Sequence, residues 1–505
     1  MHKLRLLLSA GTILGLIAGT ANAGRIMDME GNPATVSGTG LVTLPDGFGE
    51  MGSPYTGGQG LEGEAAVPFS VPQPGKVNMR VNLFVNEFPM ASWWTGMGGS
   101  TASPGLVGNK QQPFGIYGWI RLDFGLDAMT KTGVKYGGFV EIRENNTTNI
   151  TGSSTAVTTT SAAGTASTGT LTGISSGFAQ NASADAGDNT LYVRHANVYI
   201  GTDQIGFLRM GTGLGSQVLY ETGLFDDFDI GGWISFASSN IASGAAPVWP
   251  WADDGQYYMA ARLQYVSPVI DGFDFGVDFA PNNSTPFDGS GCNAAGGGVG
   301  CATQSSSTLP GDFENRYRNE VGGALRYRNT FGPIGFAGNV GWTHSGVVND
   351  AAVGVPTYKG LDVGDAGATV QWNKQLEIGG NIMWGAVNNA WAPMPSGGSH
   401  ALAWVAGVKW TIPQLPATLG AYYFNYRYQG NVTPLSATCG FCTQRTSQGL
   451  DVGAVYGFGP GVVGIVEYAW GQVYQGDVDL LTNTAGSAYN TVDANVLTAG
   501  LSVRF

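Results

Sequence analysis

The chain has 505 residues, a formal net charge of −13 and only 12% charged residues, against about 25% in an ordinary soluble protein. The mean hydropathy is +0.01, which excludes a bundle of apolar membrane helices, and the acidic balance without basic runs argues against a nucleic-acid partner. Low charge at middling hydropathy calls for a structure that alternates apolar with polar residues, and the 81 glycines suit turns, bulges and crowded barrel walls rather than helices.

The first 23 residues read as a secretory signal. Lys3 and Arg5 precede the apolar stretch LLLSAGTILGLIAG, and Ala21-Asn22-Ala23 makes an A-x-A cleavage site. The stretch falls short of the ~20 apolar residues a spanning helix needs. Residues 24–76 are rich in Gly, Pro and Thr without periodicity, and are expected to form an irregular extension.

From Val77 the chain alternates with period two. In VNMRVNLFVN, Val77, Met79, Val81, Leu83 and Val85 share one face, and Asn78, Arg80, Asn82, Phe84 and Asn86 the other. GIYGWIRLDFGLD and GVKYGGFVEIR repeat the pattern. Further strands are expected near 191–200, 204–212, 256–267, 272–281, 316–329, 333–344, 361–372, 375–385, 401–411, 417–429, 448–458, 461–471 and 493–505. That makes about sixteen, each long enough to cross a bilayer as a tilted strand.

The connections alternate in length. Short ones include 201–203, 267–271, 330–332, 373–374 and 459–460. Long ones lie near 87–113, 145–189, 213–255, 282–315, 345–360, 386–400, 430–447 and 472–492. Short turns at one end and long loops at the other describe an all-β, antiparallel up-and-down transmembrane barrel over 77–505. Aromatic residues suit that reading: Trp372, Trp384 and Trp410 end the outward faces of their strands, and Tyr422, Phe424, Tyr426 and Tyr428 share one face, both expected in interfacial girdles. The chain ends LTAGLSVRF, whose Leu497, Ala499, Leu501, Val503 and Phe505 form one face; this resembles the C-terminal signal of outer-membrane barrels.

The whole resembles a Gram-negative general porin of the sixteen-stranded, trimeric type. The most specific part is ANVYIGTDQIGFLRMGTGLG, which is similar to the fourth strand, tight turn and fifth strand of that family. The resemblance makes 213–255 the third long loop, folded into the lumen, with Glu221, Asp226, Asp227 and Asp229 as constriction acids facing arginines on the wall. The arginines follow from the residues themselves. Arg80, Arg121, Arg143, Arg209, Arg262 and Arg326 fall on polar faces, as does the row Arg316, Arg318, Arg326 and Arg328. A charge on the lipid face costs about 2–4 kcal/mol at midplane, so these side chains are expected in the lumen. Acids and arginines across a narrow channel order its water.

The four cysteines form two close pairs, Cys292 with Cys301 and Cys439 with Cys442, and even parity in an exported chain favours loop disulfides. His195, His344 and His400 are scattered without metal spacing, and the glycine run around 291–300 does not join a strand to a helix. No enzyme, cofactor or metal site is therefore expected. The expected function is an outer-membrane porin for passive diffusion of small hydrophilic solutes and ions, set in outer-membrane lipid as a homotrimer. The alternative is a sugar- or anion-selective channel of the same architecture, with Tyr117 and Trp119 as a stacking track and eighteen strands if the extension supplies two.

Overall fold

The computed structural model describes residues 74–96, 113–145, 156–160, 166–170, 192–202, 204–224, 246–251, 260–282, 292–293, 296–297, 316–348, 357–373, 375–389, 391–430, 443–459, 462–481, 484–486 and 488–504. Sixteen strands form one closed barrel. They are β1 (Val77–Trp94), β2 (Phe114–Met129), β3 (Lys135–Asn145), β4 (Tyr192–Thr202), β5 (Gly206–Gly213), β6 (Ala260–Val266), β7 (Phe273–Asn282), β8 (Arg316–Phe331), β9 (Ile334–Val348), β10 (Asp362–Trp372), β11 (Leu376–Ala386), β12 (Ala401–Thr411), β13 (Ala417–Tyr428), β14 (Arg445–Gly459), β15 (Val462–Tyr474) and β16 (Thr491–Arg504). Each pairs antiparallel with its neighbours in chain order. β16 closes the ring on β1, with Val85 opposite Val503 and Trp94 opposite Ala494. Among the described residues the closed ring has sixteen strands, not eighteen.

The alternation sets the two faces. Outward residues such as Met79, Ile200, Phe273, Val277, Trp372 and Leu501 are exposed, as a bilayer-facing band requires. Their neighbours along each strand, among them Glu141, Asp278, Asp365, Asp451 and Glu467, are buried inside. Trp372, Trp384 and Trp410 face outward as expected. Closure follows from the pattern: a sheet this long with one apolar and one polar face leaves no edge unpaired only when its ends meet.

Three expectations need correction. Tyr422, Phe424, Tyr426 and Tyr428 do not belong to an outward girdle; all four are buried inside the barrel. The outward partners along β13 include Leu419 and Arg427, so that strand reverses the usual assignment near its loop end. The arginine row of β8 does not share one face. A bulge between Arg318 and Val321, with Asn319 at φ +49°, turns Tyr317 inward. Tyr317 is buried opposite Val347, which separates Arg318 from Arg326 and Arg328; the Arg316 side chain lies outside the described residues. Finally, β1 runs to Trp94, beyond the expected strand end. Pro89 sits on the exposed face without breaking the alternation, and the ladder to β16 keeps its register from Glu87–Leu501 to Met90–Thr498.

Strands about 4.8 Å apart and tilted about 40° give a sixteen-strand ring roughly 30 Å across, wider than wall side chains can fill. Yet the inward side chains are buried. A connection must therefore lie within the lumen, and along half of the wall that connection is described.

Candidate functional site: the loop inside the barrel

The loop between β5 and β6 turns into the lumen as soon as β5 ends. Wall side chains capture the carbonyls exposed at that turn. Arg262 Nε donates to Gly213 O at 2.9 Å, Arg209 Nη2 to Leu214 O at 3.0 Å, and Gln264 Nε2 to Leu214 O at 3.4 Å and to the Ser216 hydroxyl at 3.0 Å. The chain then makes one helical turn, α1 (Ser216–Leu219), packed against β7, β8 and β9. Its leading amide, Ser216 N, donates to Asp278 Oδ2 at 2.5 Å. A carboxylate accepting from a helix's first amides satisfies a donor that has no partner within the helix.

The charges below α1 are mutually paired. Arg262 Nη1 lies 2.5 Å from Asp278 Oδ1 and 3.1 Å from Glu320 Oε1. Arg326 forks onto Asp274, with Nε at 3.1 Å from Oδ1 and Nη2 at 2.6 Å from Oδ2, and Arg328 adds a third contact at 2.9 Å. Bidentate pairing of this kind holds both groups in one geometry. The Arg326 guanidinium also sits 4.7 Å over the Tyr220 ring, and Tyr220 OH donates to Phe275 O at 3.0 Å. Burial, then the nearby Asp274, pushes the Tyr220 phenol well above its ordinary range, so it remains a donor at physiological pH.

Beyond Tyr220 the loop lies flat on the wall. Asn339 Oδ1 accepts from Thr222 N at 2.9 Å and from Thr222 Oγ1 at 2.8 Å, and Asn381 Nδ2 donates to Thr222 O at 3.1 Å. Asp365 Oδ2 in turn accepts from Asn339 Nδ2 at 2.5 Å. The close approach depends on glycine. A Cβ on Gly367 would stand 2.0 Å from Thr222 O, and one on Gly223 (φ +80°) 2.1 Å from Gly380 O. The return arm, 246–251, continues round the wall. Trp249 packs edge-on against Tyr422 and Phe424 of β13, with ring centroids 5.7 and 5.2 Å apart, and Trp251 Nε1 donates to Asn381 Oδ1 at 2.8 Å. Pro247 reaches Gly471 of β15. In a ring of sixteen, β13 stands eight strands from β5, diametrically opposite. The described parts of the loop thus cover the inner wall from β7 to β15.

The residues singled out from sequence fall into three groups. Arg209, Arg262 and Arg326 are on the inner wall, at the root of the loop, where they bind its carbonyls or pair with Asp274, Asp278 and Glu320. Glu221 is buried just after α1. Asp226, Asp227 and Asp229 lie outside the described residues, as do Cys301, Cys439 and Cys442 and the side chains of Arg80, Arg121, Arg143, Tyr117, Trp119 and Cys292. Sequence reasoning missed the anchors Asp274, Asp278, Asn339, Asp365 and Asn381. A usable signal existed for the first two: they alternate with Phe273, Phe275, Val277 and Phe279, which fixes them on the lumen face.

The family model described as Gram-negative porin matches residues 94–474. The chain belongs to the Gram-negative porin family. It is therefore an outer-membrane channel protein, and the loop on its inner wall lies in the path through the barrel. Solved structures similar to this porin include an anion-selective porin from Comamonas acidovorans, at 13% identity and TM-score 0.47, covering 85% of this chain and all of that one. Another is OmpF of Salmonella typhi in complex with daunomycin, at 12% identity and TM-score 0.46, covering 84% of this chain and 98% of that one. A third is the outer-membrane channel DcaP of Acinetobacter baumannii, at 9% identity and TM-score 0.46, covering 86% and 99%. No curated protein matches the chain. Membership rests on the family match, which spans most of the barrel.

Proposed function

We propose that this porin passes small hydrophilic solutes and ions by passive diffusion between its third long loop and the uncovered wall, and that it works as a homotrimer in outer-membrane lipid after residues 1–23 are removed. The observation that carries the reading is the loop seated inside a closed sixteen-strand barrel. Such a loop narrows a lumen otherwise about 30 Å across to a width at which wall charges act on every passing ion.

The position of Thr222 supports a transverse arrangement of charge. Thr222 is bound to β9 and β11, which stand eight strands from β1 and β3. Glu221, and the acids Asp226, Asp227 and Asp229 that follow it, then belong to the loop side of the passage. Arg80, Arg121 and Arg143, on β1–β3, belong to the side it faces. Arg209, Arg262 and Arg326 have a different role, as anchors of the loop root. Oxidised loop pairs Cys292–Cys301 and Cys439–Cys442 complete the proposal on the long-loop side.

One observation favours the selective alternative. Inward side chains are buried on the uncovered wall too, Glu141 at 0% and Asn197 at 6% exposure, which suits a tight passage. Planar-bilayer conductance under a salt gradient separates the two. Large, weakly selective steps arriving in threes support the diffusion porin. Small currents blocked by one added sugar or anion support the selective channel, and no current at all would refute both.

A further inference from the structure

The return arm of the third loop, 246–251, is held by several described contacts. Three described contacts come from the barrel wall: Pro247 against Gly471, the Trp249 ring against Tyr422 and Phe424, and the Trp251 indole on Asn381. A fourth does not. Trp391 Nε1 donates to Pro250 O at 2.5 Å, and Trp391 belongs to the connection 387–400 between β11 and β12. That connection folds inward as well, and Trp391 is buried.

The connection is itself tied on every side. Tyr317 OH donates to Trp391 O at 2.8 Å, and Tyr426 OH to Asn389 O at 2.9 Å. The Asn388 side chain donates to Gly430 O at 3.0 Å and accepts from Gly430 N at 2.7 Å. Met394–Pro395 pairs with Tyr358–Lys359 of the preceding long connection. Between the Asn388–Ala392 bridges the backbone is left-handed at two non-glycine residues, Asn389 at φ +44° and Trp391 at φ +59°. Asparagine tolerates that region; tryptophan rarely occupies it. A strained tryptophan persists only where its surroundings over-determine it, and here the conformation delivers the indole N–H to Pro250.

We propose that Trp391 is a positioning residue for the channel: the 387–400 connection is a strap that holds the return arm against the wall and so sets the free width of the passage. The inference deepens the channel reading and rests on it. Tyr317 is the strap's own anchor, and the bulge in β8 exists at the place where Tyr317 must turn inward to reach it.

The test is single-channel recording of Trp391→Phe and Tyr317→Phe, with Trp384→Phe on the exposed outer face of β11 as the control. Trp391→Phe keeps an aromatic ring in the buried site and removes the donor together with the second ring of the indole. Losing one net hydrogen bond shifts a local equilibrium about 5-fold, so the fraction of time spent in reduced-current sublevels should rise about 5-fold. The voltage that closes the channel should fall. Tyr317→Phe should shift both in the same direction, and Trp384→Phe neither. Barrel integrity is read separately from heat-modifiable migration of each variant. Folded Trp391→Phe and Tyr317→Phe channels indistinguishable from the unsubstituted protein would overturn the strap alone, as would equal sublevels in the Trp384→Phe control. Absence of steps from the unsubstituted protein would overturn the channel reading and the strap with it.

Discussion

Gly367→Ala is the most economical probe of how the loop is seated. The added Cβ would meet Thr222 O at 2.0 Å, Asn339 Oδ1 at 2.7 Å and Asn381 Nδ2 at 2.7 Å. Carbon–oxygen contacts close in to about 3.3 Å at most, and Thr222 O is backbone, so the loop must move off the wall by more than about 1 Å. That displacement breaks the three hydrogen bonds of Thr222 to Asn339 and Asn381. At about 1 kcal/mol net for each, the seating loses about 3 kcal/mol, and Asn339 and Asn381 are left to find other partners. The barrel ladder at Gly367, between Asn339 and Asn381, needs no rearrangement. The expected result is a normally assembled barrel whose single-channel step is smaller, because the loop moves towards the lumen axis, and whose open-channel noise is greater. Recording at fixed voltage in 1 M salt, on the order of concentrations that screen stray surface charge, isolates the geometric effect. An assembled Gly367→Ala porin with unchanged step size and unchanged noise would refute the seating of Thr222 on β10.

Three further outcomes are expected. Arg262→Met removes the cation shared by buried Asp278 and Glu320; stranding buried charge costs about 3–5 kcal/mol, so denaturant unfolding should shift to lower concentration, and an unshifted midpoint would count against that network. Asp226→Asn combined with Asp227→Asn should move the reversal potential under a salt gradient towards anions, and an unmoved potential would take those acids out of the constriction. Deleting Phe505 should reduce the amount of assembled protein in the outer membrane, measured by the heat-modifiable band; normal assembly would remove the terminal residue from the assembly signal.

Much of the fold is legible in the sequence because a lipid-facing barrel imposes one rule at every position. Each residue is apolar towards lipid or polar towards the lumen, and the period is two, so Phe273 through Phe279 declare both strand and face without knowledge of any neighbour. Loop lengths sort by the end of the barrel, so strand order and antiparallel pairing follow from chain order alone. The rule is silent where a strand's inward neighbours are themselves apolar. Tyr422, Phe424, Tyr426 and Tyr428 read as a lipid girdle because an aromatic row looks the same whether lipid or Trp249 covers it. Only the packed loop distinguishes them.

The site is legible to a smaller degree. The loop and several of its charged partners follow from length, acids and face, since a charge in a strand has nowhere to go but the lumen. Which charges meet depends on register and on the path of the loop, and both are long-range. Arg262 and Glu320 are 58 residues apart and Thr222 and Asn381 159, and no local pattern joins them. The sequence by itself therefore determined the class and, outside β13 and the bulged start of β8, the two faces, because the bilayer acts on each residue independently; the closed ring decided for sixteen strands over eighteen. The tertiary structure alone decided that three arginines anchor the loop root, that glycines at 223 and 367 let the loop lie on the wall, and that a strained tryptophan from another connection holds it there. Those outcomes depend on distances between chain segments that meet only after the barrel has closed.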